Sequence, residues 1–127
     1  MLVRLFVIIL ILDFLFIYLC KNIFNRQITI IQNEPIKVKY VSAAICYCVI
    51  VFLLYWFIIK HNKSYTDAFL LGCSVYGVYE LTNMSLFNKW EYKTVFIDSI
   101  WGGVLFGLTT YILNKPIDTS IIHPAYL

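Results

Sequence analysis

The chain has 127 residues, 61% of them hydrophobic and 18% aromatic, with only 13% charged and a net charge of +3. Soluble domains hold about 45–50% apolar residues, and a chain this short cannot hide the excess in its own core, because small domains leave much of their surface wet. Lipid therefore replaces water around much of the chain. Its Lys and Arg fall almost entirely between apolar runs, where they mark headgroup loops and exclude a nucleic-acid footprint.

The first apolar run, residues 2–20, has the Arg4-then-apolar start of a secretion signal. It lacks a small-x-small cleavage site, is too long for a signal's apolar region and is interrupted by Asp13, so it reads as a retained helix. The connection at 21–39 contains Ile23, Phe24, Ile28, Ile30 and Ile31. It fits either a short amphipathic segment lying on the headgroups or an ordinary ordered loop. The second run, 40–59, carries no charge and matches the ~20 residues that cross a bilayer. The third covers 66–87 and opens with Asp67 beside Ser64 and Thr66, where a helix N-terminus favours a capping acid. The fourth covers 94–113 and is stopped by Asn114, Lys115 and Pro116. The tail at 116–127, with His123, carries no readable pattern.

Short links at 60–65 and 88–93 make neighbouring helices antiparallel. The predicted fold is all-α, a four-helix antiparallel transmembrane bundle forming a single domain over 1–127, with spans at 2–20, 40–59, 66–87 and 94–113. Tyr40, Tyr55, Trp56, Tyr65, Trp90, Tyr92 and Tyr111 fall near the span ends as interface aromatics do. Lys21, Arg26, Lys37, Lys39, Lys89 and Lys93 lie on one side, against Arg4, Lys60, Lys63 and Lys115 on the other. That imbalance places both termini outside the cytoplasm. Cys20, Cys46, Cys48 and Cys73 show no disulfide or zinc spacing; Cys46 and Cys48 point about 200° apart on a helix. They read as small packing residues, and no metal site is expected.

The residues that carry chemistry are three carboxylates inside apolar runs: Asp13, Glu80 and Asp98. No Lys or Arg stands near them in those runs, and an ionisable group in hydrocarbon marks a function or a buried partner. From a rise of 1.5 Å per residue, Asp13 lies about 3 Å from the centre of its span, Glu80 about 6 Å and Asp98 about 7–8 Å, all toward connections one and three. All three are expected to converge in one leaflet half. Tyr76, Tyr79, Glu80 and Asn83 form a polar stripe at helical spacing, starting near Gly72. Tyr47 falls at the same depth in the second span, and Asp98 and Trp101 share a face of the fourth. The candidate polar core is therefore Asp13, Tyr47, Tyr76, Tyr79, Glu80, Asn83, Asp98 and Trp101. Gly102, Gly103 and Gly107 leave room for close helix contact, within the bundle or in a dimer.

Residues 79–83 (Tyr-Glu-Leu-Thr-Asn), then Trp90, then Asp98-x-x-Trp101-Gly102, together with Asp13, residues 24–27 and Tyr47, resemble the four-span membrane proteins of domain-of-unknown-function family 2177. The resemblance covers nearly the whole chain. It departs at Glu80, where Asp is usual, and at Phe16, where a Trp is usual and an indole N–H is lost. It implies a fold and a site but carries no activity.

Three functions fit these residues. One is a module that binds or passes a cation, proton or small polar solute through the acidic site, with a homo-oligomer needed for a pore. Another is a structural or accessory subunit whose polar stripe meets another membrane protein. The third is a membrane-embedded lipid-modifying enzyme using the acids in acid–base or metal chemistry. For that enzyme, His61 and His123 lie in loops, and there is no Asp-x-x-Asp repeat, phosphate loop or Gly-x-Ser-x-Gly elbow. Beyond the lipid bilayer, the partners are a second copy or another membrane protein, with no nucleic acid; no cofactor is named by the residues.

Overall fold

A computed structural model describes residues 1–34 and 36–114. Its helices, in chain order, are α1 (Leu2–Gln32), α2 (Tyr40–Leu54), α3 (Tyr65–Leu86) and α4 (Tyr92–Asn114), and α2 runs on through a π-helical turn at Tyr55–Ile59. No strand occurs among the described residues. Helix α1, α2 with its π turn, and α4 are each long and apolar enough to cross a bilayer. Helix α3 is long enough at 22 residues, but Asp67, Ser74, Glu80, Thr82, Asn83 and Ser85 dilute its apolar character.

The largest departure from expectation lies in the first connection. Residues 21–32 are neither a separate surface segment nor a loop; they continue α1 without a break, giving a helix of 31 residues. At 1.5 Å per residue that is about 46 Å, well beyond the ~30 Å of hydrocarbon. The helix stops at Asn33, whose left-handed backbone (φ 58°) lets its N–H bond the Thr29 carbonyl at 2.8 Å. Asparagine tolerates that conformation better than other non-glycine residues. The expected cap of α3 also shifts by one role. Ser64 is the capping residue, accepting from the Asp67 N–H at 3.1 Å, while Asp67 supplies negative charge to the first turn.

The two ends of α1 fasten it antiparallel to α4. Arg4 donates to the carbonyls of Ile112 (3.2 Å) and Leu113 (3.3 Å), bonding the exposed C-terminal turn of α4. Gln27 reaches the first turn of α4 at the opposite end. Helices α3 and α4 are also antiparallel, along a seam of glycines. A β-carbon on Gly102 would lie 2.5 Å from the Gly72 carbonyl oxygen and 2.6 Å from Tyr76 Cβ, so the two backbones touch at this level. Gly103 meets Phe69 and Cys73, and Gly107 meets Tyr65 and Phe69. The glycines therefore serve packing within the bundle. In lipid, where apolar burial gives helices no net attraction, such close approach is what lets dispersion hold them together.

The hydrophobic core and the buried acids separate by height, with Thr109 and Thr110 the polar residues buried beside the core. The apolar core consists of Leu5, Ile9, Ile50, Leu54, Ile58, Ala68, Leu105, Phe106 and Leu113. These positions fall at the middle of the bundle or toward the end where Arg4 meets α4. The buried acids and Gln27 lie at the middle or toward the other end. Outward-facing Phe14, Leu19, Phe52, Val78 and Phe96 are exposed, as side chains facing acyl chains would be.

Candidate functional site

All three carboxylates are buried: Glu80 has no exposed surface, Asp13 is 7% exposed and Asp98 8%. Burial of an acid requires partners, and those partners divide the cluster into two levels.

Asp13 forms the deeper level. Its Oδ2 accepts from the Tyr47 hydroxyl on α2, and its Oδ1 accepts from the Trp101 indole N–H on α4 at 2.9 Å. One donor on each oxygen leaves the carboxylate held between three helices. Aromatic rings support both donors. Phe14 meets the Tyr47 ring edge-on at 6.0 Å, and Phe16 stacks on Trp101 at 4.4 Å with the planes 8° apart.

Glu80 and Asp98 form the second level, about one to two helical turns nearer the face that carries connections one and three. Glu80 Oε2 accepts from the Trp90 indole N–H at 2.7 Å. The Asp98 carboxyl lies within hydrogen-bond reach of Glu80. Two ionised carboxylates have no donor between them, so this contact closes only when one of the pair carries a proton. Glu80 Oε1 is buried without a hydrogen-bond partner among the described residues.

Tyr76 links the levels, lying one turn below Glu80 on α3 and within electrostatic range of both Asp13 and Asp98. Asp13 and Asp98 are themselves within range of each other. The result is a polar ladder running from Trp90 near the surface through Glu80 and Asp98, then Tyr76 and Trp101, to Asp13 and Tyr47 at mid-height.

Six of the eight expected residues (Asp13, Tyr47, Tyr76, Glu80, Asp98 and Trp101) come together in this ladder. The expected single convergence point is instead two adjoining levels. Tyr79 and Asn83 lie beside each other and sit off the ladder: Tyr79 is 56% exposed. A stripe at i, i+3, i+4 and i+7 spreads over more than 100° of a helix, and here α4 covers only the side holding Tyr76 and Glu80. Trp90, expected as an interface aromatic and as a position of the family resemblance, stood outside the candidate polar core. The tight turn at residues 87–91 carries it back over the end of α3, and the signal available was its distance of ten residues from Glu80 across a short link. Gln27 entered only within the stretch 24–27 of the family resemblance, and its role was not legible because it depends on the unbroken extension of α1.

Over residues 1–113 the sequence matches the family described as "Predicted membrane protein (DUF2177)". The chain belongs to that family. No curated protein and no solved structure matches it. Six of the DUF2177 positions that carried the resemblance line the ladder: Asp13, Tyr47, Glu80, Trp90, Asp98 and Trp101; Tyr79 and Asn83 do not. The Phe16 departure from the DUF2177 pattern costs Asp13 no donor, since Trp101 supplies the indole N–H and Phe16 stacks on its ring.

Proposed function

We propose that the protein holds an exchangeable proton, or a small cation in its place, on the Glu80–Asp98 carboxyl pair inside the membrane. The observation that carries this is Glu80: fully buried beside Asp98, with one oxygen on the Trp90 N–H and the other without a hydrogen-bond partner among the described residues. Two charges that close in low dielectric repel strongly, so a bound cation or proton must compensate one of them. Both arginines of the chain are engaged elsewhere, Arg4 by the end of α4 and Arg26 by Glu91 at 3.0 Å. Infrared difference spectra of the protein in lipid nanodiscs test the reading. A protonated-carboxyl band at neutral pH, lost in Glu80→Gln and Asp98→Asn, is the expected result. A spectrum without that band, in the presence and absence of sodium and potassium, overturns it.

A second reading is an accessory subunit, favoured by the outward Tyr79–Asn83 pair on α3. A polar pair facing acyl chains is a place where another membrane helix would bond. Recovery of one stoichiometric partner that is lost with Asn83→Leu supports it; a homogeneous preparation of the chain alone, unchanged by that substitution, removes it.

A further inference from the structure

We propose that the acid pair is reached from the face carrying connections one and three, through a gate in which Trp90 is the lid and Gln27 the latch. This rests on the reading of Glu80 and Asp98 given above. Trp90 sits at the end of the turn between α3 and α4, is 8% exposed, and lies between that surface and Glu80, to which its N–H is bonded. Nothing covalent holds the turn down. Its main buried tie to another helix is one amide: Gln27, 2% exposed, on the extension of α1.

That amide bonds both flanks of the lid. Its Nε2 donates to the carbonyl of Lys89 at 2.6 Å, and its Oε1 accepts from the N–H of Glu91 at 3.0 Å and from the Thr94 hydroxyl at 3.2 Å. Lys89 and Glu91 are the residues immediately before and after Trp90, so the amide fixes the backbone on each side of the indole. Arg26, exposed, braces the same place from outside by pairing with Glu91. A small polar pocket of about 40 Å³ adjoins the latch, lined by Ile23, Arg26, Gln27, Glu91 and Lys93. That is enough for a water molecule, which needs about 10–15 Å³ by this measure. The latch thus has room for water, while the other half of the bundle is filled mainly by the apolar core around Leu5, Ile9, Leu54 and Phe106, with Thr109 and Thr110 buried beside it. Releasing one amide from three bonds lifts Trp90 and opens Glu80 and Asp98 to solvent. No helix has to move.

The test labels the full chain in nanodiscs with two carbodiimides and follows Asp13, Glu80 and Asp98 by peptide mass spectrometry. Lipophilic dicyclohexylcarbodiimide reaches protonated acids through the bilayer; if it modifies neither Glu80 nor Asp98, the proton-holding reading fails, independently of the gate. A water-soluble, positively charged carbodiimide reports the gate. It should modify the pair slowly in the wild type and about tenfold faster or more in Gln27→Ala, as expected for losing hydrogen bonds at one position. Gln27→Glu keeps the acceptor for Glu91 and Thr94 but loses the donor to Lys89, and should fall between. Arg26→Ala, a surface change that cannot threaten folding, should give about a twofold rise. Unchanged labelling in all three variants overturns the gate. So does a parallel rise at Asp13, which would show Gln27 holding the whole bundle together and not the lid.

Discussion

Replacing Gly102 by alanine adds one methyl group at the tightest point between α3 and α4. Its carbon would sit 2.5 Å from the Gly72 carbonyl oxygen and 2.6 Å from Tyr76 Cβ, whereas ordinary contact begins near 3.4 Å. The helices must part by about 0.9 Å, and neither neighbour is the free end of a flexible side chain. Overpacking of this kind costs about 1–3 kcal/mol, a factor of roughly 5–150 in the folded population. Gly77 provides the control on the facing helix, because a β-carbon there meets only Ser99 Oγ at 3.8 Å. Gly77→Ala should be neutral or stabilising, since alanine is favoured over glycine in a helix by about 1 kcal/mol. Both variants can be unfolded in dodecylmaltoside micelles by increasing the fraction of SDS, with helicity followed by circular dichroism. Equal midpoints for the two would refute the argument that the glycine seam sets the spacing of α3 and α4, and with it the distance between Glu80 and Asp98.

The same titration checks substitutions at four further positions. Trp90→Phe leaves Glu80 Oε2 buried without its donor and should cost about 1–3 kcal/mol; a midpoint equal to wild type would mean the hydrogen bond contributes nothing to the fold. Tyr47→Phe removes one of two donors to Asp13 and should cost about 0.6–2 kcal/mol, the range for hydrogen bonds between helices in membranes. Ser64→Ala should cost about 1 kcal/mol and Ser64→Asp should restore it, because the capping position accepts either side-chain oxygen. Arg4→Met keeps much of the apolar stem but loses the bonds to the last carbonyls of α4, and should cost about 0.3–1 kcal/mol, read most clearly as faster amide exchange at Ile112 and Leu113.

Much of this architecture was legible because hydropathy and short links leave few alternatives in a bilayer. The uncharged run at 40–59 became α2 with its π turn, and the glycines of α4 met α3 as small residues in membranes do. What was not legible depended on contacts between distant positions. Residues 21–32 mix Lys, Asn, Arg and Gln with isoleucines, a composition that reads as a surface segment; the helix persists because Gln27 and Ile23 lie against the start of α4. The depth estimate placed the acids in one half of the bilayer but could not assign their partners, since a rise per residue fixes height and not rotation. Rotation is why Tyr79 turned outward while Tyr76, three residues earlier, faced in. Asp98 and Trp101, one turn apart, did share an inward face as expected.

Below Asp13 the bundle is filled mainly by apolar side chains, with Thr109 and Thr110 buried among them. On the proposed reading, a proton or cation arriving past Trp90 finds a cul-de-sac: it must retreat by the door it came through, because Leu5, Ile9 and Phe106 offer it nowhere to step. A lone copy of the chain would then work as a reservoir and not as a conduit, filling and emptying on one side as conditions there change.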